Sequence, residues 1–185
     1  MKVFLTSSGI ETRNLVQEVL KQTFKYPDTL KVLFIPTAAI DPDSIEMLPK
    51  CLNDLYRCGI QKENITVYTM HYELEATLSS MYDIIYITGG NTQYLLNRVR
   101  EKNFHQRLLQ FIEEDGILIG VSAGSIIFAD NLDNNLELIP TRLEVHVDPS
   151  IATAPGVHLY SDFTTIYLKD GQALIPGENV FTIIE

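Results

Sequence analysis

The sequence lacks several features that would narrow its function at once. Its 185 residues include no tryptophan and only two cysteines, Cys51 and Cys58. Their spacing in a predicted helix fits neither a metal site nor a redox pair, so we expect reduced thiols in a cytoplasmic protein. No apolar run approaches the length of a membrane span, and the apolar stretch that follows Lys2 is too short for a signal peptide.

Positive charge is also scarce, because 14 Lys and Arg residues stand against 24 Asp and Glu residues and leave a net charge of −10. Such a surface repels phosphate backbones, so we expect no nucleic-acid partner. The sequence also lacks the dinucleotide-binding and phosphate-loop motifs, which argues against a protein that binds phosphate or nucleotides. No cluster of residues has metal-ligand spacing, so we expect no metal and no cofactor. We also expect no membrane partner, and the chain to be a monomer or a homodimer.

Short apolar runs alternate with amphipathic stretches over the first two thirds of the chain. The runs predict strands at residues 3–6, 31–36, 65–69, 84–88 and 117–121. The amphipathic stretches predict three helices. The first covers residues 11–25. The second runs from Asp43 or Ser44 to 58, with Pro49 as a kink or as its true start, and the third covers 92–114 with a break near Asn103. This alternation predicts a single α/β domain over residues 1–185, with helices on both faces of a mainly parallel sheet.

After Asn131 the pattern changes to short β-like runs that are joined by turns. We predict strands at residues 136–140, 143–147, 164–168, 172–175 and 180–184. The segment Lys169-Asp-Gly-Gln172 predicts a hairpin turn, so short hairpins are expected near the C-terminus.

The most informative segment is Gly120-Val-Ser-Ala-Gly124, which lies between a predicted strand and a predicted helix. A nucleophile on such a tight turn needs small flanking residues, and the turn lifts the oxygen of Ser122 out of the sheet edge. The amide of Ala123 is then aimed at a developing oxyanion. The alternative is a tight turn that contains a buried serine.

A second segment, Gly89-Gly-Asn-Thr92, follows the predicted strand 84–88. Two glycines at the carboxyl end of a strand let the backbone approach a ligand and present amide groups. Beside the serine turn, Gly90 becomes a second oxyanion donor, and Gly89, Asn91 and Thr92 are candidate substrate-binding residues. The alternative is a plain glycine turn in which Asn91 or Thr92 caps the next helix.

The two segments together resemble the peptidase E (aspartyl dipeptidase) family of serine peptidases. The resemblance implies a three-layer sandwich similar to class I glutamine amidotransferases and flavodoxin-like folds. It also implies hydrolysis of small peptides or amides by a Ser-His-acid triad. In that fold group the nucleophile is usually cysteine, so Ser122 indicates the peptidase branch.

The resemblance also suggests partners for Ser122. His146 follows Leu138-Ile-Pro140 at the place where the family has its histidine, although Val145-His-Val147 replaces the usual Pro-His-Tyr/Phe. In the family the acid precedes the last hairpin. Here Asp162 is the candidate, because it stands before residues 164–168 and the turn Asp170-Gly-Gln-Ala173; peptidase E itself has glutamate at that place. His158, four residues before Asp162, is the rival general base.

The region between the candidate histidine and acid is shorter than in aspartyl dipeptidases, and it lacks the arginine that pairs with a substrate aspartate. No Lys or Arg occurs between Arg142 and Lys169, so we do not expect strict Asp-X specificity unless Arg142 substitutes. The shortening also supports an alternative function, a binding or regulatory domain that has kept the fold and lost catalysis.

Overall fold

A computed structural model describes residues 1–72, 74 and 77–185 of the chain. Within these residues ten strands form one eight-stranded and one two-stranded sheet. In chain order they are β1 Lys2–Thr6, β2 Val32–Ile35, β3 Ile65–Val67, β4 Ile84–Ile87, β5 Ile117–Val121, β6 Arg142–Val145, β7 Gly156–Leu159, β8 Thr165–Leu168, β9 Ala173–Pro176 and β10 Val180–Ile184. The large sheet has the order β3-β2-β4-β5-β1-β9-β10-β7, and β6 pairs with β8.

Seven α-helices connect the strands within the described residues. They are α1 Arg13–Lys21, α2 Pro42–Glu46, α3 Leu48–Arg57, α4 Leu78–Met81, α5 Thr92–Glu101, α6 Phe104–Glu113 and α7 Ala123–Ile126. The strands from β3 to β1 are parallel, whereas β9, β10 and β7 continue the sheet in antiparallel pairing. The carboxyl ends of five parallel strands therefore meet along one edge of the sheet.

Successive residues of the parallel strands pack into two different cores, because alternate side chains leave a strand on opposite faces. One core contains Phe4, Phe34 and Tyr86 and is covered by α1 and α3. The other contains Leu5 and Ile85 and is covered by α5, α6 and α7. The protein is therefore a three-layer α/β sandwich around a mainly parallel, doubly wound sheet, which confirms the predicted fold class.

The predictions for the first two thirds of the chain are confirmed with small shifts of the boundaries. Pro49 lies in the first turn of α3 and marks its true start, and the long helix breaks at Asn103, whose φ is 50°. The cap of α2 is Asp41 rather than Asp43 or Ser44, because the Asp41 carboxylate accepts the Ser44 amide in a capping box. Helix α1 ends at Lys21, earlier than predicted.

The predictions for the last third are partly wrong. Residues 136–140 form no strand, because the amides of Leu136 and Leu138 donate to the carbonyls of Ile127 and Phe128. Strand β7 was not predicted. The turn at residues 169–172 exists, but it joins β8 to a strand of the other sheet and forms no hairpin; the hairpin that does form joins β9 and β10.

Candidate active site

Ser122 lies on a sharp turn between β5 and α7. Its φ of 49° and ψ of −110° place a non-glycine residue in a strained conformation that the surroundings must enforce. A Cβ atom at Gly120 would lie 2.4 Å from the carbonyl oxygen of Gly124, and one at Gly124 would lie 2.4 Å from that of Ile87. Both flanking positions therefore require glycine, as expected for a nucleophile turn.

The end of strand β1 fastens this turn. The carbonyl oxygen of Thr6 accepts the Ser122 amide at 3.0 Å and the Ser125 hydroxyl at 2.8 Å. The Thr6 hydroxyl in turn donates to the carbonyl oxygen of Gly120 at 2.8 Å. Since Thr6 and Ser125 are buried, these bonds are shielded from water and hold the Ser122 backbone in place.

The glycine pair after β4 packs directly against the serine turn. A Cβ atom at Gly89 would lie 3.1 Å from the Ser122 Cβ, and one at Gly90, whose φ is 133°, would lie 2.1 Å from the carbonyl oxygen of Ala38. Among the described residues, the amides of Gly90 and Ala123 donate no hydrogen bond. Both amides therefore lack a protein partner, as an oxyanion donor would; Gly90 lines the cavity described below, whereas Ala123 does not.

Asn91 and Thr92 have structural positions beside this pair. The Asn91 side chain accepts the Tyr94 amide at 2.8 Å and caps α5, of which Thr92 is the first residue. The alternative interpretation of the sequence therefore holds for Asn91, whose side-chain oxygen is occupied by the helix end.

His146 and Asp170 lie side by side because of the small sheet. Val145 of β6 and Leu168 of β8 are the last paired residues of these two parallel strands, so the segments that follow the strands leave the sheet next to each other. The His146 Nδ1 is 2.7 Å from the Asp170 Oδ1. An ionised carboxylate only accepts hydrogen bonds, so Nδ1 carries the proton and Nε2 is left as the basic nitrogen.

The environment of Asp170 favours its ionised form. Burial acts to raise the pKa of the carboxyl, but hydrogen bonds from His146 and Ser7, together with the charges of His146 and Lys50, outweigh it. The pKa of Asp170 therefore lies below its ordinary value, which suits a group that orients an imidazole and stabilises an imidazolium.

Ser122, His146 and Asp170 line one cavity of about 320 Å³ at the carboxyl edge of the sheet. Gly89 and Gly90 line it as well. The remaining lining residues come from the ends of β1, β4 and β5 and from α2, α3 and their junction: Ser8, Ser44, Met47, Leu48, Lys50, Cys51, Thr88 and Val121. This volume suits a small ligand.

The other two predicted residues lie elsewhere. The Asp162 carboxylate accepts the Ser161 hydroxyl at 3.2 Å, and the His158 Nε2 is 2.8 Å from the carbonyl oxygen of Ala154. The His158 ring stacks on Phe181, with 5.2 Å between ring centroids, and neither residue lines the cavity. The acid beside His146 is thus Asp170, the second residue after β8, and not Asp162 before that strand, because β8 runs parallel to β6.

Two further lining residues carry chemistry that the sequence pattern did not single out. Lys50 supplies the one cation among the lining residues of the described chain, and its ammonium pairs with Glu11. Burial raises the pKa of the Cys51 thiol to about 11, which keeps it protonated and a poor rival to Ser122 as nucleophile. Arg142 pairs with Glu144 at 3.8 Å and does not line the cavity.

The described residues contain no group of three or more His, Cys, Asp or Glu side chains that could hold a metal ion. Over the same residues, every helix is too short or too polar to cross a bilayer.

A family model of peptidase family S51 matches residues 3–142. An uncharacterized peptidase of Listeria innocua is 30% identical over 101 residues, which is 55% of this chain and 48% of that protein, so the match spans about half of this relative. An uncharacterized peptidase of Pasteurella multocida is 25% identical over 184 residues and is covered to 80%. The crystal structure of a candidate peptidase E from Listeria monocytogenes EGD-e matches with a TM-score of 0.73 at 21% identity, over 99% of this chain and 98% of that one; this likeness shows the fold alone.

Proposed function

The chain belongs to peptidase family S51, and from this premise we propose that it is a serine hydrolase that cleaves small peptides or amides through Ser122. One observation carries the proposal: the hydrogen-bonded pair of His146 and Asp170 lines the same cavity as the strained Ser122. Serine is a feeble nucleophile at neutral pH without an aligned base. In this proposal His146 acts as that base; among the described residues its imidazole bonds to Asp170 and not to the Ser122 hydroxyl, so we expect the contact with Ser122 to form when substrate is bound.

The proposed reaction has two acyl-transfer steps. The His146 Nε2 takes the proton of the Ser122 hydroxyl while the oxygen attacks the substrate carbonyl carbon, and the carbonyl π electrons move to oxygen. The amides of Gly90 and Ala123 bind this oxyanion. The imidazolium, held by Asp170, then protonates the leaving amine as the C–N bond breaks. Water attacks the acyl-enzyme in the same manner and regenerates Ser122.

The cavity also bears on the substrate. Its volume of about 320 Å³ favours a small peptide or amide. An acidic side chain would meet Lys50, but Glu11 already neutralises that ammonium, and Asp170 adds a negative charge. We therefore expect Asp-X dipeptides to be cleaved with no strict preference over Ala-X dipeptides.

The test is labelling by a small fluorophosphonate, with the labelled residue mapped by mass spectrometry. We expect stoichiometric labelling of Ser122 in the wild type, none in Ser122→Ala, a loss in His146→Ala, and wild-type labelling in His158→Ala. A folded wild type that does not label would support the alternative of a binding domain without catalysis. Turnover of Asp-X and Ala-X dipeptides by the same preparation then tests specificity, and robust hydrolysis of Asp-X alone would contradict the expected breadth.

A further inference from the structure

Ser7 is a completely buried hydroxyl residue, with 0% of its surface exposed, and it takes no part in the reaction described above. It follows β1 directly, next to Thr6, which fastens the Ser122 turn. Its own amide donates to the carbonyl oxygen of Gln172 at 3.2 Å. The backbone of Ser7 is therefore fixed from the central sheet on one side and from the turn that carries Asp170 on the other.

The Ser7 hydroxyl connects the two members of the base–acid pair. It accepts the backbone amide of His146 at 2.8 Å and donates to the Asp170 Oδ1 at 2.9 Å. The same Oδ1 accepts from the His146 Nδ1. The single Ser7 proton goes to the carboxylate, so the Ser7 oxygen, 3.5 Å from Nδ1, does not donate to the imidazole. The Nδ1 proton therefore points to Asp170.

His146 needs such a support. Its φ of 57° is the left-handed conformation, which costs a residue with a Cβ atom about 1 kcal/mol or more and persists only when neighbours enforce it. Its side chain is 49% exposed and that of Asp170 is 60% exposed, so packing does little to hold either. The Ser7 hydroxyl is the buried polar atom that contacts both.

We infer that Ser7 is a positioning residue for the proposed reaction: its hydroxyl fixes the His146 backbone and the Asp170 carboxylate together, and thereby sets the direction of the imidazole Nε2 toward Ser122. This inference rests on the proposed function. Its geometric part, the orientation of the imidazole, is measurable without any turnover.

The test compares Ser7→Ala with a matched control, Tyr86→Phe. The Tyr86 hydroxyl is also buried and also donates to a carboxylate, that of Asp54 at 2.8 Å, but it does not line the cavity. Both variants therefore lose a buried hydroxyl that donates to a carboxylate, and only Ser7→Ala also frees the His146 amide. Ser7→Thr keeps a hydroxyl and serves as the conservative rescue, and Ser7→Cys replaces Ser7→Ala if the latter does not fold.

Three readouts are taken on each variant: the rate of Ser122 labelling, kcat and KM for dipeptide turnover, and one proton NMR signal. In Ser7→Ala we expect Ser122 labelling to slow about 10- to 100-fold, with kcat falling and KM nearly unchanged, because a small misplacement of a base is costly to the chemical step. We expect the downfield proton NMR signal of the His146 Nδ1–H, assigned with His146→Gln, to shift or broaden. Tyr86→Phe should keep both the labelling rate and the signal, and Ser7→Thr should restore them.

Unchanged labelling and an unchanged imidazole signal in folded Ser7→Ala would overturn the inference. An equal loss in Tyr86→Phe would also overturn it, because the effect would then be general destabilisation. If the wild type does not label at all, the proposed function fails. The imidazole signal of Ser7→Ala then still decides whether the hydroxyl positions His146.

Discussion

The two sides of the cavity are built on different principles. The Ser122 side consists of the half-buried Ser122 between Gly120 and Gly124, which are buried and packed so closely that a Cβ atom on either would clash with a backbone carbonyl. The base–acid side consists of His146 and Asp170, which are half exposed and held by hydrogen bonds. The contrast teaches that close packing, together with the buried hydrogen bonds of Thr6, fixes the Ser122 turn, whereas the exposed pair of His146 and Asp170 depends mainly on hydrogen bonds.

The largest expected effect comes from breaking the polar side. Asp170→Asn should lower the rate of Ser122 acylation about 10³-fold, roughly 4 kcal/mol, because the amide favours the wrong imidazole tautomer. Stability should change by less than about 1 kcal/mol, since the side chain is largely exposed. Rates are measured by fluorophosphonate labelling and stabilities by urea unfolding.

The matched control is Asp162→Asn, which changes the same type of residue outside the cavity. Its labelling rate should stay within about twofold of wild type, as expected for a surface substitution. A large loss in Asp162→Asn with little loss in Asp170→Asn would restore the assignment first made from the sequence.

The second effect comes from breaking the packed side. Gly124→Ala places a Cβ atom 2.4 Å from the carbonyl oxygen of Ile87 and should cost about 3 kcal/mol of unfolding free energy. Gly156→Ala is the control, because its φ of 136° is strained for alanine but its Cβ would meet nothing within 4 Å. It should cost about 1 to 2 kcal/mol. Gly124 has no positive φ, so its cost should come from packing; a cost in urea unfolding no larger than that of Gly156→Ala would show that the Ile87 carbonyl gives way and that close packing matters little there.

The smallest expected effect is on the pH dependence of stability, and it compares two carboxylates: Asp54, which is buried, and Asp170, which is exposed. Burial raises the pKa of Asp54, although the Ile10 amide and Tyr86 partly offset it, whereas the pKa of Asp170 is lowered. As pH falls from neutral, Asp54 takes up its proton in the folded state first, so the stability of wild type relative to Asp54→Asn should rise. The stabilisation by ionised Asp170 is present above the unfolded pKa, near 3.8, and should disappear as pH falls through its lower folded pKa.

Urea unfolding of wild type, Asp54→Asn and Asp170→Asn at a series of pH values checks both signs. The two difference curves should slope in opposite directions. Parallel curves would contradict the contrast between the packed and the polar environment.

The packed side could be predicted from the sequence because its determinants are local. Continuous apolar runs gave β1, β2, β4 and β5, and the Gly-x-Ser-x-Gly spacing gave the turn at Ser122. Each of these signals lies within a few residues of the structure that it specifies. Local signals also sufficed for Pro49 at the start of α3 and for the break at Asn103.

The polar side could not be predicted in the same way. Asp170 lies beside His146 because β6 pairs with β8, and that pairing joins segments that are distant in sequence. Strand β7 is mostly exposed and has no buried residue, so no apolar pattern marked it. Ser7 and Lys50 reach the site from β1 and α3, and neither carries a local signal for this role.

The parallel pairing of β6 and β8 has a consequence for how this site tolerates change in chain length. The register of Val145 with Leu168 sets the spacing of His146 and Asp170 in space, whatever number of residues separates them along the chain. Insertions or deletions in the intervening segment therefore need not disturb the pair as long as the two strands stay in register. A change in the length of that segment would then alter the wall beside the pair and leave the spacing of His146 and Asp170 as it is.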